Sequence, residues 1–314
     1  MPGDSLLDIP RELLILGAAV ESGMIKALSE KAMEDWELAL KLGANTRAVW
    51  VMCEALYALG YLQRWEGKWQ LSDAAKDMLY NPNSKNYTGF SFMHKYYMMA
   101  SWLTLPEVIR TGIPKPKEKK PEKLEYFMAA MSNSARKSAQ EIAAHCLLGM
   151  SGEPEVIDIG GGPLTYARAF AARGARVTVF DLPEVIEYAF SQLGESEKIN
   201  LVAGDFNEWL PPGPFDLAFL GNVCHIYGER ENKLLFKRVA GILKPKGKIA
   251  IFDFVRGKSP EAAVFAVNML VNTASGGTWT YDQYEGWLKC AGFAEIKITA
   301  AAGRHVITAA LKVS

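Results

Sequence analysis

The sequence has only four cysteines among its 314 residues, and no two of them lie close together. They stand at positions 53, 146, 224 and 290, which excludes a paired zinc motif and a dense disulfide framework. Isolated thiols of this kind are typical of a reducing compartment. The histidines and acidic residues also lack the spacing of metal ligands, so we predict a cytoplasmic protein that binds no metal.

The sequence also lacks a long apolar run, a basic leader and an excess of charge. No apolar stretch approaches the ~18 residues that a membrane-spanning helix needs, and the N-terminus MPGDSLLDIPRELL carries acids where a signal peptide is basic. The 35 basic and 35 acidic side chains cancel, whereas nucleic-acid binding needs a basic face. We predict no membrane partner and no nucleic-acid partner.

Residues 1–95 have the outline of a winged helix, in which helices are followed by a hairpin. Asn45 should cap a helix that ends at Gly60, and Gly67 should turn a hairpin within YLQRWEGKWQLS. The candidate recognition helix carries only Arg47 and Glu54 among mostly apolar residues. That composition favours burial against protein over contact with DNA. A ligand-sensing regulator that binds DNA through this domain is kept as an alternative.

The second domain, residues 96–314, opens with a helical lead-in at residues 96–150, where one helix should run from Leu124 to Gly149. Strand-like runs then alternate with helical patterns through EVIDIGGG, ARVTVFDLP, INLVAGD, FDLAFLGN and GKIAIFDFV. This alternation predicts a doubly wound α/β sheet. A final antiparallel hairpin turning at Gly303 is more typical of methyltransferases than of dehydrogenases.

The first three strands of this sheet each end at an aspartate, namely Asp158, Asp181 and Asp205. Ligands bind at the carboxyl ends of the strands in such sheets, and a glycine-rich turn there lets backbone approach a nucleotide. The glycines from Gly160 to Gly162 do not complete the dinucleotide fingerprint. Acids without a phosphate-binding arrangement suit S-adenosylmethionine, which is a cation that carries no phosphate.

These residues make the sequence similar to the S-adenosylmethionine-dependent O-methyltransferases of the caffeic acid and hydroxyindole type. The resemblance rests on VIDIGGG, VFDLPEVIE, GDF, NVCHIY, ILKPKGKIAIFDF and GFAEIKI, and it extends to ASWLTLPEVIRTGIP, YFMAAMSNSA and residues 12–80. It covers nearly the whole chain and leans toward the bacterial and archaeal branch. It implies a class I methyltransferase domain at residues 96–314 and a homodimer formed through the N-terminal domain.

The resemblance also implies roles for the residues at the strand ends. It assigns the methionine and ribose loop to Asp158, Gly160 and Gly162, the ribose to Asp181 and Leu182, and the adenine to Asp205 and Phe206. One departure is Leu164, which stands where the family usually has a glycine, so the loop shape or the cofactor affinity should differ. A methyltransferase-like protein without catalytic activity is therefore a further alternative.

His225 follows the fourth strand, and in the family this histidine is the general base. Histidine suits the role because its pKa lies near neutrality, and such a base adds typically 10²–10⁴-fold to a rate. Asp253 stands where the family has a carboxylate that orients the histidine, although its usual glutamate is longer. A second family glutamate has no match, since Trp279 and Thr280 occupy that stretch. A C- or N-methyltransferase that does not need the base is the alternative within enzymes.

The acceptor should be a small, flat aromatic or heteroaromatic hydroxyl compound. Residues 86–112 are rich in aromatics and methionine, which is compatible with a pocket wall and equally with helix core. Asn268 and Asn272 share a helical face and could point amides at the substrate, or form an exposed polar stripe. Candidate substrate contacts are Phe92, Met93, Trp102, Phe127, Met131, Asn268, Met269 and Asn272.

Overall fold

A computed structural model describes residues 9–116 and 121–313, in two compact units, Met1–Met99 and Ala100–Ser314. The first eight residues, which bear on the leader prediction, residues 117–120 of the lead-in and residue 314 lie outside the described part. Each unit has its own hydrophobic core.

The first unit consists of helices around a short antiparallel hairpin. Its elements are α1 (Arg11–Glu21), α2 (Met24–Glu30), α3 (Asp35–Leu42), α4 (Thr46–Ala58), β1 (Leu62–Trp65), β2 (Lys68–Leu71), α5 (Asp73–Tyr80) and most of α6 (Phe92–Trp102). The side chain of Asn45 caps α4 by accepting a hydrogen bond from the Ala48 amide at 3.1 Å. The hairpin turns through Glu66 and Gly67, both at positive φ. The elements follow the predicted order, and the winged-helix assignment itself stays a prediction.

The lead-in of the second unit contains α7 (Leu105–Thr111), α8 (Pro121–Arg136) and α9 (Ala139–Cys146). The prediction of one helix from Leu124 to Gly149 is wrong, because the chain breaks between α8 and α9. Ser138 lies at the break, and its hydroxyl donates to the Ala135 carbonyl at 3.1 Å. A serine that bonds nearby backbone competes with continued helix, which gives the break its physical cause.

A seven-stranded sheet forms the centre of the second unit. Its strands are β3 (Glu155–Ile159), β4 (Arg176–Asp181), β5 (Ile199–Ala203), β6 (Phe215–Gly221), β7 (Leu243–Asp253), β10 (Phe293–Ala301) and β11 (Arg304–Leu311). The order is β10-β11-β7-β6-β3-β4-β5, with β3 to β7 parallel and β11 antiparallel to β7. The predicted doubly wound sheet with a closing hairpin is confirmed.

Helices cover both faces of this sheet, and two separate apolar clusters fill the space beneath them. The covering helices include α10 (Thr165–Ala171), α11 (Pro183–Gln192), α12 (Glu229–Ile242) and α14 (Tyr281–Cys290), whereas α13 (Pro260–Asn272) packs against α7. A small parallel pair that the sequence did not predict, β8 (Val255–Arg256) with β9 (Trp279–Thr280), joins the segments before α13 and before α14.

The strand order reverses beside β3, since the chain moves outward through β4 and β5 and then returns to the other side of β3 through β6. Such a reversal opens a crevice at the carboxyl ends of the central strands. The segments that follow these strands begin at Gly160, Leu182, Gly204, Asn222 and Phe254. The fold therefore places the predicted cofactor-binding residues along one edge of the sheet.

Leu164 takes the conformation that a glycine would take at the same position. It caps the N-terminus of α10 with φ 65° and ψ 6°, in the left-handed region. Its side chain is fully buried among the apolar residues on that face of the sheet. The turn therefore keeps a glycine-like backbone, and burial of the leucine side chain offsets a left-handed strain of roughly 1–2 kcal/mol.

We expect Leu164→Gly to be more stable than Leu164→Ala by about 1 kcal/mol in urea unfolding. Both variants lose the buried side chain, but only alanine keeps a Cβ at positive φ. The control is Glu187, an exposed residue inside α11. There Glu187→Gly should be about 1 kcal/mol less stable than Glu187→Ala. If the glycine and alanine variants have the same order of stability at positions 164 and 187, Leu164 does not lie in a strained left-handed turn.

Candidate active site

A cavity of about 340 Å³ lies at the carboxyl edge of the sheet, beside the glycine loop and α8. It is lined by residues from the ends of β3, β4, β5 and β6, and by apolar side chains of α8. The residues predicted from the sequence that line it are Gly160, Gly162, Asp181, Leu182, Asp205, Phe206, Phe127 and Met131.

Asp181 ties the glycine loop to the end of β4. One carboxylate oxygen, Oδ2, accepts a hydrogen bond from the Gly162 amide at 2.9 Å, and Oδ1 accepts one from the Leu182 amide at 2.8 Å. Burial raises the pKa of Asp181, while these two amide donors act in the opposite direction. The carboxylate is thus held at the cavity wall with its position fixed by backbone.

Asp205 and Phe206 form a second wall after β5. Asp205 Oδ1 accepts hydrogen bonds from the backbone and side-chain nitrogens of Asn207 at 2.8 and 2.9 Å. The ring of Phe206 meets Tyr227 edge-on, with centroids 4.9 Å apart. An acid can accept a hydrogen bond from the amino group of a heterocycle, and an adjacent aromatic ring can cover the face of that heterocycle. This arrangement is compatible with the predicted role of Asp205 and Phe206 in binding adenine.

Asp158 lies behind the glycine loop and does not line the cavity. Its carboxyl is buried, and a Cβ added to Gly161 would come within 2.9 Å of Oδ2. That oxygen has no hydrogen-bond partner among the described residues. Burial, followed by the negative charge of Asp181, raises the pKa of Asp158 from 3.8 to about 8. Asp158 is therefore expected to be protonated at neutral pH, and its side chain packs directly behind Gly161 of the loop.

The charges around the cavity fit a cationic ligand without phosphates. Among the described residues that line it, the charged ones are the carboxylates of Asp181, Glu184 and Asp205. The loop backbone is also closely packed, because a Cβ on Gly160 would meet Val223 at 2.6 Å. Acidic walls and a bare glycine backbone suit S-adenosylmethionine better than a nucleotide that carries a pyrophosphate.

His225 lies in a 3₁₀ turn, Cys224–Ile226, directly after β6 and is 6% exposed. Its Nδ1 is 2.6 Å from Asp253 Oδ1, and its backbone amide donates to Asp253 Oδ2 at 3.2 Å. Asp253 is buried at the end of β7 and also accepts from the Phe254 amide at 2.7 Å. The aspartate therefore reaches the histidine in spite of being shorter than the family's glutamate. When Nδ1 carries its proton and donates it in a hydrogen bond to Asp253, Nε2 is the nitrogen that can accept a proton.

The surroundings of His225 are apolar and aromatic. Its ring meets Phe265 of α13 edge-on at 4.9 Å between centroids. Its neighbours Val223 and Ile226 line the cavity, although His225 itself does not. The histidine thus lies between the cavity and α13.

The two asparagines of α13 bond mainly to each other. Asn272 Nδ2 donates to Asn268 Oδ1 at 2.9 Å and to the Asn268 carbonyl at 2.8 Å, while Trp102 Nε1 donates to the same Oδ1 at 3.2 Å. Asn272 Oδ1 is a buried acceptor with no partner among the described residues. Met269 is buried on the same helix. Trp102, Asn268, Met269 and Asn272 thus cluster around α13, outside the cavity lining.

Phe92 and Met93 lie in α6, within the first unit. Met93 is fully buried, and Phe92 packs beside Phe90 with ring centroids 6.4 Å apart. Phe92 also packs against the apolar core of that unit, which is the helix-core interpretation that the sequence left open.

Sequence reasoning missed a half-buried arginine near the site, Arg304. The guanidinium of Arg304 lies 4.2 Å from the centroid of Phe252 and 4.8 Å from that of Phe254. It donates to the side-chain oxygen of Asn222, a cavity residue at φ 62°. No local pattern could have paired residues on β11 with the turn after β6, because only the sheet order brings them together.

The part of the chain that the structure describes offers no group of three histidine, cysteine, aspartate or glutamate side chains placed to hold a metal ion. In the same residues, none of the helices combines the length and apolar character needed to cross a membrane.

Comparisons with known proteins agree with this geometry. A family model described as an O-methyltransferase domain matches residues 109–294. The chain is 26% identical to a 3-hydroxy-5-methyl-1-naphthoate 3-O-methyltransferase of Streptomyces sahachiroi, covering 95% of this chain and 91% of that one. It is 26% identical to the tetracenomycin polyketide synthesis 8-O-methyl transferase TcmO of Streptomyces glaucescens, covering 91% and 89%. The crystal structure of human N-acetylserotonin methyltransferase in complex with SAM has a TM-score of 0.73 at 21% identity, with 96% and 94% coverage, and shows the shared fold.

We expect Asp158 to make the ligand-free protein less stable as pH rises. Its folded pKa of about 8 exceeds its unfolded value of 3.8, so the folded state holds a proton that the unfolded state has lost. The contribution of Asp158 to the free energy of unfolding is fully present below pH 4. It is lost as pH rises through 8, at up to about 1.4 kcal/mol per pH unit. Urea unfolding from pH 5 to 8 should show this slope in wild type relative to Asp158→Asn. Parallel curves would contradict the buried protonated acid.

Proposed function

The chain belongs to the O-methyltransferase family, and we propose that it transfers a methyl group from S-adenosylmethionine to a hydroxyl of a small aromatic acceptor, with His225 as the general base. The observation that carries this proposal is the buried pair of His225 and Asp253 at the ends of β6 and β7, 2.6 Å apart. That pair adjoins a cavity whose charged walls are acidic.

S-adenosylmethionine, when bound, supplies an electrophilic methyl group on a positively charged sulfur. We propose that Asp181 and Leu182 hold its ribose, that Asp205 and Phe206 hold its adenine, and that the glycine loop accommodates the methionine part. The hydrogen bond between Gly162 and Asp181 supports this assignment, because it fixes the loop and the ribose carboxylate relative to each other before a ligand enters.

The role of His225 is to accept the acceptor's proton at Nε2 as the hydroxyl attacks. Asp253 keeps the ring in the tautomer with Nδ1 protonated, and its charge stabilises the imidazolium that forms. A neutral hydroxyl is a weak nucleophile, so a base in this position contributes about 10²–10⁴-fold. The apolar neighbours of His225, Phe265 among them, limit water and strengthen the interaction with Asp253.

An aromatic acceptor is supported by the relatives and by the residues around the site. The two Streptomyces relatives are named for a hydroxynaphthoate and for a tetracenomycin polyketide. Phe127 and Met131 line the cavity with flat and adaptable apolar surface. On α13, we propose that Asn272 Oδ1 accepts a hydrogen bond from a polar group of the acceptor, because this buried oxygen has no partner among the described residues.

Replacing the base tests the reaction type. We expect His225→Ala to lower kcat about 10²-fold or more on a panel of naphthols and hydroxynaphthoates with labelled methyl donor, while the KM for S-adenosylmethionine changes little. Asp253→Asn should lower kcat as well, because the ring loses its orienting charge. His145→Ala, on α9, is the matched control and should behave as wild type. Unaltered kcat in His225→Ala would favour C- or N-methylation or transfer by proximity alone.

We also propose that the chain forms a homodimer through its N-terminal unit. Large apolar side chains are exposed there in unusual number, among them Trp36, Leu40, Trp50, Val51, Tyr57 and Trp65. Trp50 is 48% and Tyr57 50% exposed, and they stand seven residues apart on α4, hence on one face of that helix. Apolar surface in such concentration marks a protein interface.

Trp50→Glu should shift the protein from dimer to monomer in analytical ultracentrifugation, because a charge would be buried in the interface. Phe190→Glu is the control, since Phe190 is an exposed apolar residue on α11 of the second unit. It should leave the sedimentation coefficient unchanged. A dimer that survives Trp50→Glu but not Phe190→Glu would locate the interface on the second unit.

A further inference from the structure

The side chain of Asn232 binds the backbone of the turn that carries His225. Asn232 lies on α12 and is fully buried. Its Nδ2 is 2.9 Å from the Cys224 carbonyl, 3.0 Å from that of Tyr227 and 2.9 Å from that of Gly228. One amide group has only two hydrogens to share among these acceptors. The 3₁₀ turn and the residues after it are thereby fastened to the start of α12.

A second group of contacts reaches the same turn from the segment before α14. Trp279 Nε1 donates to the Cys224 carbonyl at 3.0 Å, and the Gly277 amide donates to the His225 carbonyl at 2.9 Å. A Cβ on Gly276 would lie 2.4 Å from the His225 carbonyl oxygen, so this close approach requires a glycine. The Cys224 carbonyl therefore receives donors from two different elements.

The turn has little internal support of its own. Its own backbone bonds run from the Ile226 amide to Val223 at 3.0 Å and from the Tyr227 amide to Cys224 at 3.4 Å. The second of these is long for a hydrogen bond. Asp253 orients the ring of His225, but the direction of Nε2 also depends on where the backbone of residue 225 is held. Asp253 Oδ2 accepts from the His225 amide at 3.2 Å, and on the other side of the same peptide unit the Cys224 carbonyl accepts from the amide of Asn232 and the indole of Trp279.

We propose that Asn232 and Trp279 are positioning residues for the general base. By binding the Cys224 carbonyl from two sides, they fix the backbone of His225 and keep Nε2 aimed at the acceptor. This inference rests on the proposed role of His225. Trp279 stands in the stretch where the resemblance implies a second glutamate. In this chain its indole donates to the Cys224 carbonyl, next to the histidine.

The test uses full-length Asn232→Leu and Trp279→Phe, which remove the side-chain donors while keeping apolar bulk. The control is Trp287→Phe, because Trp287 packs against Trp279 at 5.3 Å between ring centroids. The control variant makes the same change from tryptophan to phenylalanine in the same aromatic cluster. Trp287 takes part in none of the hydrogen bonds from Asn232, Gly277 and Trp279 to the turn. The acceptors are 2-naphthol, which needs a base, and the more acidic 1-nitro-2-naphthol, which is largely ionised in the assay and needs none.

We expect Asn232→Leu and Trp279→Phe each to lower kcat with 2-naphthol about 10-fold, which is less than the ~10²–10⁴-fold contributed by a general base because the base is misaligned and not removed. Trp287→Phe should keep the wild-type kcat. The loss with the nitronaphthol should be less than about 2-fold, and affinity for S-adenosylhomocysteine should stay as in wild type. The double variant should lose more than the product of the single losses, because the Cys224 carbonyl then lacks both side-chain donors. Equal losses with both acceptors would indicate a merely structural role and overturn the proposal.

A measurement without an acceptor covers the case in which neither naphthol is methylated. In protein labelled with ¹⁵N-histidine, the Nδ1 proton between His225 and Asp253 should give a downfield resonance that His225→Ala removes. Asn232→Leu and Trp279→Phe should shift or broaden that resonance, and Trp287→Phe should not. An unchanged resonance in both variants would overturn the inference. Full activity in His225→Ala would instead defeat the proposed function, so the two failures are distinguishable.

Discussion

The buried hydrogen bond between His225 and Asp253 is the contact on which the proposed chemistry depends. It joins the carboxyl ends of two neighbouring parallel strands, β6 and β7, so its 2.6 Å geometry is set by the sheet itself. Because both residues are almost fully buried, neither can leave the other without exposing an unpaired polar group to an apolar interior. The fold thus fixes one imidazole nitrogen and leaves the other for a proton.

Burial has a different effect on the two aspartates at the glycine loop. Asp158 has no partner for one of its oxygens and is protonated, whereas Asp181 is held by two backbone amides at the cavity wall. Burial raises the pKa of both carboxyls, but only at Asp181 do two backbone amides act in the opposite direction. The two acids therefore differ in their surroundings, because one is enclosed behind Gly161 and the other is hydrogen-bonded at the cavity wall.

The sequence was sufficient for the fold class, because strand-like runs alternate with helical patterns, and for the cofactor, because aspartates stand where the strands end. It indicated the enzyme family through the resemblance that these strand-end motifs carry. It was wrong about one long helix through residue 138, where a serine bonds its own backbone. It could not show that Leu164 would take a left-handed backbone, since that depends on the apolar space around its side chain. It also missed Asn232 and Arg304, whose partners come from distant segments that only the tertiary fold brings together.

Calorimetric titration of the full-length protein with S-adenosylhomocysteine tests the central claim most directly, beside Asp181→Ala and Asp216→Ala. Asp216 is paired with Lys244 at 2.7 Å near the opposite ends of the strands, so it controls for the loss of a carboxylate. We expect micromolar binding in wild type and in Asp216→Ala, and a loss of at least about 10-fold in affinity in Asp181→Ala. Failure of the wild type to bind, or equal binding in all three proteins, would contradict a cofactor site at this edge of the sheet.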